Sequence, residues 1–115
     1  MIIYRFGAPL YFANATLFEE EVQKLVTEAA TPVKWFVLDA EAMIDVDTTG
    51  AETLHQVITW LAAHGVTVAI SRANQTTADL IAHYQLHDLI VEDRMFPTNR
   101  HAIAAFREEI TSNGR

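Results

Sequence analysis

The residues of this 115-residue chain best suited to chemistry are five acids gathered in one short stretch, and the chain has no cysteine. These acids are Asp39, Glu41, Asp45, Asp47 and Glu52. Two of them belong to the string Asp45-Val46-Asp47-Thr48-Thr49, in which paired carboxylates precede two hydroxyl groups. Paired carboxylates can act as a nucleophile and a general acid around a shared divalent cation. The spacing therefore makes phosphoryl transfer one hypothesis for function.

The string matches the DxDxT motif of haloacid-dehalogenase-type phosphatases, a resemblance that would make the first Asp the nucleophile and the second the general acid. That motif should directly follow its strand, whereas the hydrophobic run here ends earlier, near Asp39. The only lysines, Lys24 and Lys34, lie in a predicted helix and at the start of a predicted strand, away from the motif. We therefore expect no catalytic residues and no enzymatic activity, and keep the phosphatase as the least favoured alternative.

The same acids are also typical of the start of a helix. The unpaired N–H groups and the dipole of a helix N-terminus stabilise nearby carboxylates by about 0.3–1 kcal/mol each. Thr49 and Glu52 have the S/T-x-x-E spacing of a capping box, which predicts Thr49 as the N-cap and Glu52 as its reciprocal partner. A surface for a partner protein on this loop is compatible with that local role.

Other residue types give no pattern for a metal or phosphate site. The five histidines are His55, His64, His83, His87 and His101. Only His83 and His87 have helical spacing, so we expect surface histidines and no metal site. With four glycines in the chain, no glycine-rich phosphate loop can form.

The charge of the chain excludes several classes of partner. Fifteen acids against eight Lys and Arg give a net charge of −7, which repels the phosphates of nucleic acids. The basic residues are scattered, so we expect no polybasic patch for anionic lipids. No apolar run approaches the roughly 18 residues of a membrane helix. The N-terminal residues are expected to form a strand, and not a signal peptide.

Hydrophobic patterning predicts strands that alternate with helices. The predicted strands cover residues 1–6, 9–12, 33–39, 66–71 and 89–91. The predicted helices run from Asn14 to about Ala30, from Thr48 or Thr49 to a stop at Gly65, from Thr76 or Thr77 to about Tyr84, and from Thr98 to a fraying tail at residues 111–115. This alternation favours a mostly parallel sheet, whose ligands bind at the carboxyl ends of the strands. The loops after Asp39 and Ser71 are therefore the places to look for a site.

Helical spacing also predicts which side chains face the core. These are Phe18, Val22, Leu25, Val26 and Ala29 in the first helix, Ala51, Leu54, Val57, Ile58 and Leu61 in the second, and Ile103, Phe106 and Ile110 in the last. Trp35 and Trp60 are expected to serve packing as well.

Several strings of the chain closely resemble STAS domains, in particular the cytoplasmic C-terminal STAS domain of SulP-type sulfate and anion transporters. The strings are Ile3-Tyr4-Arg5-Phe6, Ala8-Pro9-Leu10-Tyr11-Phe12-Ala13-Asn14-Ala15, Val37-Leu38-Asp39-Ala40 and Asp45-Val46-Asp47-Thr48-Thr49-Gly50-Ala51-Glu52, with Phe96-Pro97-Thr98 later in the chain. The resemblance implies an α/β STAS fold, with a mixed, mostly parallel sheet of four to five strands and about four to five helices. It implies a single STAS domain over residues 1–115.

The function implied by this resemblance is regulation of anion transport from the cytoplasmic face of the membrane. Its partners would be the membrane domain of its own transporter and cytoplasmic regulatory proteins, with homodimer formation through the full-length transporter. Neither nucleic acid nor a bound cofactor is expected. STAS domains have been proposed to bind nucleotides, but the acidic loop offers no basic clamp, although Arg72 could approach it.

Bacterial anti-sigma-factor antagonists share the STAS fold, and the resemblance implies an alternative function. In them a D-S-S-G turn before a helix carries a phosphorylated second serine. The matching turn here is Asp47-Thr48-Thr49-Gly50, which makes Thr49 the candidate phospho-acceptor in a free-standing, antagonist-like protein. A phosphate there gains from the helix dipole but meets repulsion from Asp45, Asp47 and Glu52. The turn is equally a candidate site for a partner or a nucleotide.

Overall fold

Strands and helices alternate along the chain in the computed structural model, which describes residues 1–83 and 94–113. The strands are β1 (Ile2–Arg5), β2 (Trp35–Asp39), β3 (Thr67–Ser71) and β4 (Met95–Phe96). The helices are α1 (Ala15–Thr27), α2 (Thr48–Ala63), α3 (Gln75–His83) and α4 (Asn99–Asn113). The predicted α/β class is thereby confirmed. The strand predicted at residues 89–91 lies outside the described residues.

The sheet follows the order of the chain. Its strands are arranged β1-β2-β3-β4, and every neighbouring pair of these described strands is parallel. Right-handed crossovers between parallel strands in consecutive order bring the connecting helices to one face. Accordingly, side chains of α1, α2 and α3 share one core cluster, whereas Ala102 of α4 belongs to a second cluster.

The central strand β2 supplies both clusters. Phe36 and Leu38 pack into the larger cluster, and Trp35 and Val37 pack into the smaller one beneath α4. Alternate residues of a strand point to opposite faces of its sheet, so a strand covered on both sides is hydrophobic throughout. The prediction of a doubly buried strand is confirmed, and Asp39 at its end is buried too.

The second predicted strand, residues 9–12, is wrong. Only Leu10 forms a bridge, pairing in parallel with Val46. The Asn14 side chain folds this segment into a loop, since its Oδ1 accepts from the backbone N of Tyr11 at 2.9 Å and its Nδ2 donates to the carbonyl of Pro9 at 2.8 Å. Asn14 stands at the N-cap position of α1, as predicted, but makes no side-chain cap hydrogen bond there.

The end of α2 follows the predicted stop. Gly65 adopts a φ of +74°, the left-handed conformation that glycine tolerates best. Its backbone N donates to Ala62, and the N of Val66 donates to Leu61, both at 3.0 Å. These two bonds form a Schellman motif, which satisfies carbonyls that the helix end leaves unpaired.

The starts of the last two helices were predicted with mixed success. Thr98 caps α4 as predicted, because its Oγ1 accepts from the backbone N of His101 at 3.1 Å. Asn74, and not Thr76 or Thr77, caps α3, since its Oδ1 accepts from the N of Thr77 at 2.8 Å. The hydroxyl of Thr77 is buried and donates instead to the carbonyl of Met43 at 2.6 Å.

The inward face of α2 was predicted correctly at every position, and Phe18 and Val22 of α1 are buried as expected. Leu25 and Ile110 were assigned wrongly, because they are 40% and 39% exposed. Both lie toward the ends of their helices, and Leu25 lines an open hollow beside Ile2 and Tyr4 of β1. The tail expected to fray from residue 111 is helical through Asn113.

Candidate functional site

The turn singled out by the sequence lies at the start of α2, and Asp47 is its cap. Asp47 has extended backbone angles, φ −83° and ψ 178°, and its Oδ1 accepts from the backbone N of Gly50 at 2.7 Å. The prediction that Thr48 or Thr49 caps the helix is therefore wrong, and so is the Thr49–Glu52 capping box. An acceptor at the last extended residue reaches the third helical N–H, and a carboxylate there also gains from the helix dipole.

The second oxygen of Asp47 joins this helix start to the loop of residues 9–14. Its Oδ2 accepts from the backbone N of Phe12 at 2.8 Å. Two backbone bonds run alongside, from the N of Leu10 to the carbonyl of Asp45 at 3.0 Å and from the N of Asp47 to the carbonyl of Leu10 at 3.1 Å. The carboxylate that a DxDxT phosphatase would use as its general acid thus accepts two backbone hydrogen bonds.

Asp45, the nucleophile of the phosphatase hypothesis, accepts a hydrogen bond from the Tyr11 hydroxyl at 2.8 Å. That bond raises the pKa of Tyr11, with burial and the charges of Asp45 and Asp47 adding to the effect. Both carboxylates of the motif therefore hold the loop of residues 9–14 against the start of α2. This arrangement weighs against phosphoryl chemistry.

Gly50 is required by a close approach of two backbone segments. A Cβ atom at this position would lie 2.2 Å from the carbonyl oxygen of Leu10 and 2.9 Å from its carbon. Because these are backbone atoms held by the hydrogen bonds just described, they cannot move aside as a flexible side chain would. The glycine of the Asp47-Thr48-Thr49-Gly50 turn therefore serves packing.

The two hydroxyl residues of the turn face outward. Thr48 and Thr49 are exposed, whereas Gly50 is buried and Asp47 is half-buried. A shallow hollow starts beside Thr48 and continues along α2, lined by Thr48, Ala51, Glu52, His55 and Gln56. The structure therefore brings the four predicted residues together, with two forming the scaffold and two accessible to another molecule.

A second polar cluster lies where the sequence placed a site, at the carboxyl ends of β2 and β3. Asp39 is buried and accepts from Arg72 Nη2 at 2.5 Å, from Asn99 Nδ2 at 3.0 Å and from the backbone N of Glu41 at 3.1 Å. Burial by itself raises the pKa of Asp39, but these hydrogen bonds outweigh it and hold the pKa below its usual value.

This cluster extends along the carboxyl ends of the described strands. Glu41 pairs with Arg72 at 2.8 Å and with Arg5 at 3.3 Å, and the Ser71 hydroxyl donates to Asn99 Oδ1. Arg72 has a left-handed φ of 54°, and its backbone N donates to the carbonyl of Phe96 at 3.0 Å. Its guanidinium pairs with Asp39 and Glu41, so Arg72 does approach the acidic stretch, and it does so at the sheet edge.

Sequence reasoning located this edge but missed Arg5 and Asn99. Asp39 is the last residue of β2, and Arg72 directly follows the neighbouring strand β3. This pattern could have indicated the ion pair at this edge. Within residues 1–83 and 94–113, no group of three or more His, Asp or Glu residues is arranged to hold a metal ion. Nor does any helix of that part have the length and hydrophobicity to cross a membrane.

The described strands form a parallel sheet in chain order, and a hydrogen-bonded, outward-facing turn starts the second helix, an arrangement that defines a class of small α/β domain. The model of the STAS domain family matches residues 1–102. The chain belongs to the STAS domain family.

The chain is similar to one region of much longer proteins. It is 37% identical over 107 residues to a probable sulfate transporter of Mycobacterium tuberculosis, which covers 93% of this chain and 19% of the transporter. The chain thus spans about a fifth of the length of this relative.

Solved structures share the fold. The STAS domain of a SulP transporter from Vibrio cholerae superposes with a TM-score of 0.81 at 24% identity, covering 97% of this chain and 84% of that one. A proposed anti-sigma factor antagonist of Thermotoga maritima gives a TM-score of 0.75 at 15% identity, covering 91% and 86%. Both likenesses show a common fold.

Proposed function

We propose that this chain is the regulatory and interaction domain of a SulP-type anion transporter, at the cytoplasmic face of the membrane, and that it catalyses no reaction. The observation that carries this proposal is the 37% identity to the mycobacterial transporter across 93% of the chain. The partners would be the membrane domain of the same transporter and cytoplasmic regulatory proteins. A homodimer would form through the full-length transporter.

Electrostatics supports this location. The chain carries a net charge of −7, and short cytoplasmic loops of membrane proteins are enriched in Lys and Arg. Attraction between opposite charges favours contact with those loops over contact with anionic lipid headgroups. The absence of catalysis is supported by the structural use of Asp45 and Asp47, whose carboxylates hold the loop of residues 9–14.

The genomic sequence upstream of the Met1 codon tests the proposal directly. An in-frame run of membrane-spanning helices that leads into Met1 is the expected result. An in-frame stop codon just ahead of a natural start at Met1 would contradict the transporter assignment. An assay of aryl phosphate hydrolysis with magnesium tests the proposal that the chain catalyses no reaction. Turnover by the wild type that is lost in Asp45→Asn would overturn that proposal.

A second candidate function is a free-standing, antagonist-like protein that is switched by phosphorylation at Thr49. The exposure of Thr49 in the first turn of α2 favours it, because a kinase could reach the hydroxyl. Incubation with a cognate kinase and ATP, followed by mapping of the phosphosite, tests it. Thr16 is a matched control, since it is also exposed and is also the second residue of its helix. Phosphate on Thr16 as readily as on Thr49 would count against a specific switch.

A further inference from the structure

Three large hydrophobic side chains are exposed around the turn at the start of α2. Phe12 is 75% exposed, Ile44 57% and Tyr11 38%. Single exposed hydrophobic residues are ordinary, but a local group of them indicates a contact surface. We call these three residues, two aromatic and one aliphatic, the aromatic surface.

Hydrogen bonds hold the aromatic surface together, although its residues come from two segments of the chain. The Tyr11 hydroxyl donates to Asp45, the neighbour of Ile44, and the backbone N of Phe12 donates to Asp47, each at 2.8 Å. Because the backbone here is already fixed by these bonds and by the Leu10–Val46 bridge, a partner would not have to order it. Such preorganisation favours binding.

The border of the aromatic surface is negative. Asp45 and Asp47 accept hydrogen bonds from Tyr11 and Phe12 of this surface, and Glu52 lines the hollow beside Thr48. The sequence has no Lys or Arg from residue 6 to 23 or from residue 35 to 71, the two stretches that supply this surface. Among the described residues, the ion pairs of the acidic side chains involve Asp39, Glu41 and Glu109, and none of these three carboxylates.

We propose that the aromatic surface docks a basic amphipathic segment of a partner protein, one with an apolar side chain flanked by Lys or Arg. The inference rests on the proposed function as an interaction domain and names the chemistry of its partner. Phe12 is the anchor, since aromatic residues in the centre of an interface contribute most of the binding energy. Asp45 and Glu52 attract the basic residues and select against acidic partners, because complementary charge provides specificity.

The net charge argues against a second copy of the chain as the occupant. Two molecules would each bring the same carboxylates to the contact, and the like charges would repel one another. An anionic membrane is disfavoured for the same reason.

Titration of the chain with a synthetic amphipathic helical peptide built of Leu and Lys tests the proposal. Backbone amide chemical shifts would report the site, and the affinity would be measured at low and high salt. We expect shifts at the aromatic surface, weaker binding at high salt, and about tenfold weaker binding for Phe12→Ser. The matched control is Leu25→Ser, which removes a 40% exposed leucine from the far part of α1 and should leave the affinity unchanged.

Several results would overturn the proposal. These are equal affinity for Phe12→Ser and the wild type, equal affinity for a peptide with Glu in place of Lys, and self-association or binding to anionic vesicles through this surface. Because Phe12 is so exposed, Phe12→Ser should melt at the wild-type temperature, which separates lost binding from lost folding. Failure of peptide binding leaves the transporter assignment standing, and a stop codon upstream of Met1 leaves the peptide result standing.

Discussion

The Oδ2 atom of Asp47 lies 2.8 Å from the backbone N of Phe12, and this contact decides how the acidic turn should be interpreted. The Asp47 carboxylate belongs to a motif that resembles a phosphatase sequence, but in the structure it connects the loop of residues 9–14 to α2 by hydrogen bonds. Its other oxygen caps the helix through the N of Gly50 at 2.7 Å. The most exposed aromatic residue in the described part of the chain, Phe12, is therefore fixed directly beside the turn that the STAS resemblance singles out.

Substitution of Asp47 tests this connection. We expect Asp47→Ala to lower the free energy of unfolding by about 2 kcal/mol, because it removes a helix cap worth about 1 kcal/mol and a second hydrogen bond of similar value. Urea denaturation would measure the change. Asp45→Ala is the comparison, and loss of its one exposed hydrogen bond to the Tyr11 hydroxyl should cost about 0.5–1 kcal/mol, less than Asp47→Ala. Equal losses in the two variants would show that Asp47 is an ordinary surface acid.

Substitution of Gly50 tests the close backbone contact. Alanine normally stabilises a helix relative to glycine by about 0.5–1 kcal/mol. Here we expect Gly50→Ala to destabilise the protein by about 2 kcal/mol or more, because the new Cβ would lie 2.2 Å from the carbonyl oxygen of Leu10. Thermal denaturation would measure the effect. Gly7→Ala is the matched control, since its Cβ meets nothing within 4 Å and should leave stability unchanged. A Gly50→Ala variant as stable as the wild type would contradict the observed packing.

The buried carboxylate of Asp39 predicts a pH-dependent contribution to stability. Its pKa is lowered in the folded state, so its contribution is complete above the unfolded pKa of about 3.9 and is lost as the pH falls through the folded pKa. We expect Asp39→Asn to cost about 2 kcal/mol at neutral pH, since hydrogen bonds to charged groups are worth about 1.5–3 kcal/mol. Urea denaturation of both proteins at neutral pH and near pH 3 should show that cost shrinking with acid. A cost that is independent of pH would contradict the ionised, paired state.

The charge of the turn predicts how modification of Thr49 acts on a basic partner. We expect Thr49→Glu to strengthen binding of the Leu and Lys peptide by about twofold, since one exposed charge contributes roughly 0.5 kcal/mol. Isothermal titration calorimetry at low salt would measure the affinity. Thr27→Glu adds the same charge at the exposed far end of α1 and should have a smaller effect. Weaker binding by Thr49→Glu would indicate a partner that does not carry basic residues at this contact.

The sequence was sufficient where local chemistry decides the structure. The buried face of α2 follows from helical spacing alone, and Gly65 ends the helix because few other residues adopt its backbone angle easily. The cap of α2 was predicted at Thr48 or Thr49 and not at Asp47, although Asp and Thr both make good N-caps. Asp47 is the cap in the structure, and it also accepts from the backbone N of Phe12, a contact between distant parts of the chain that local spacing does not reveal.

Contacts between distant parts of the chain also limited prediction at the carboxyl edge of the sheet. The positions of Asp39 and Ser71 follow from their strands, so the edge itself could be predicted. Asn99 could not be assigned to it, because it meets Asp39 across 60 residues of sequence and only the docking of α4 brings the two together. Thr77 illustrates this as well, since its hydroxyl is taken up by the carbonyl of Met43 and is not used for capping.

The most direct test of the central claim is sulfate uptake by cells that lack their own sulfate transport and express the transporter proposed to contain this chain. Uptake would be compared between the wild type, Phe12→Asp and the control Leu25→Ser, each normalised to the amount of transporter in the membrane. A regulatory domain that acts through the aromatic surface predicts uptake altered severalfold in Phe12→Asp and unchanged in Leu25→Ser. Equal uptake by all three proteins at equal abundance would contradict it.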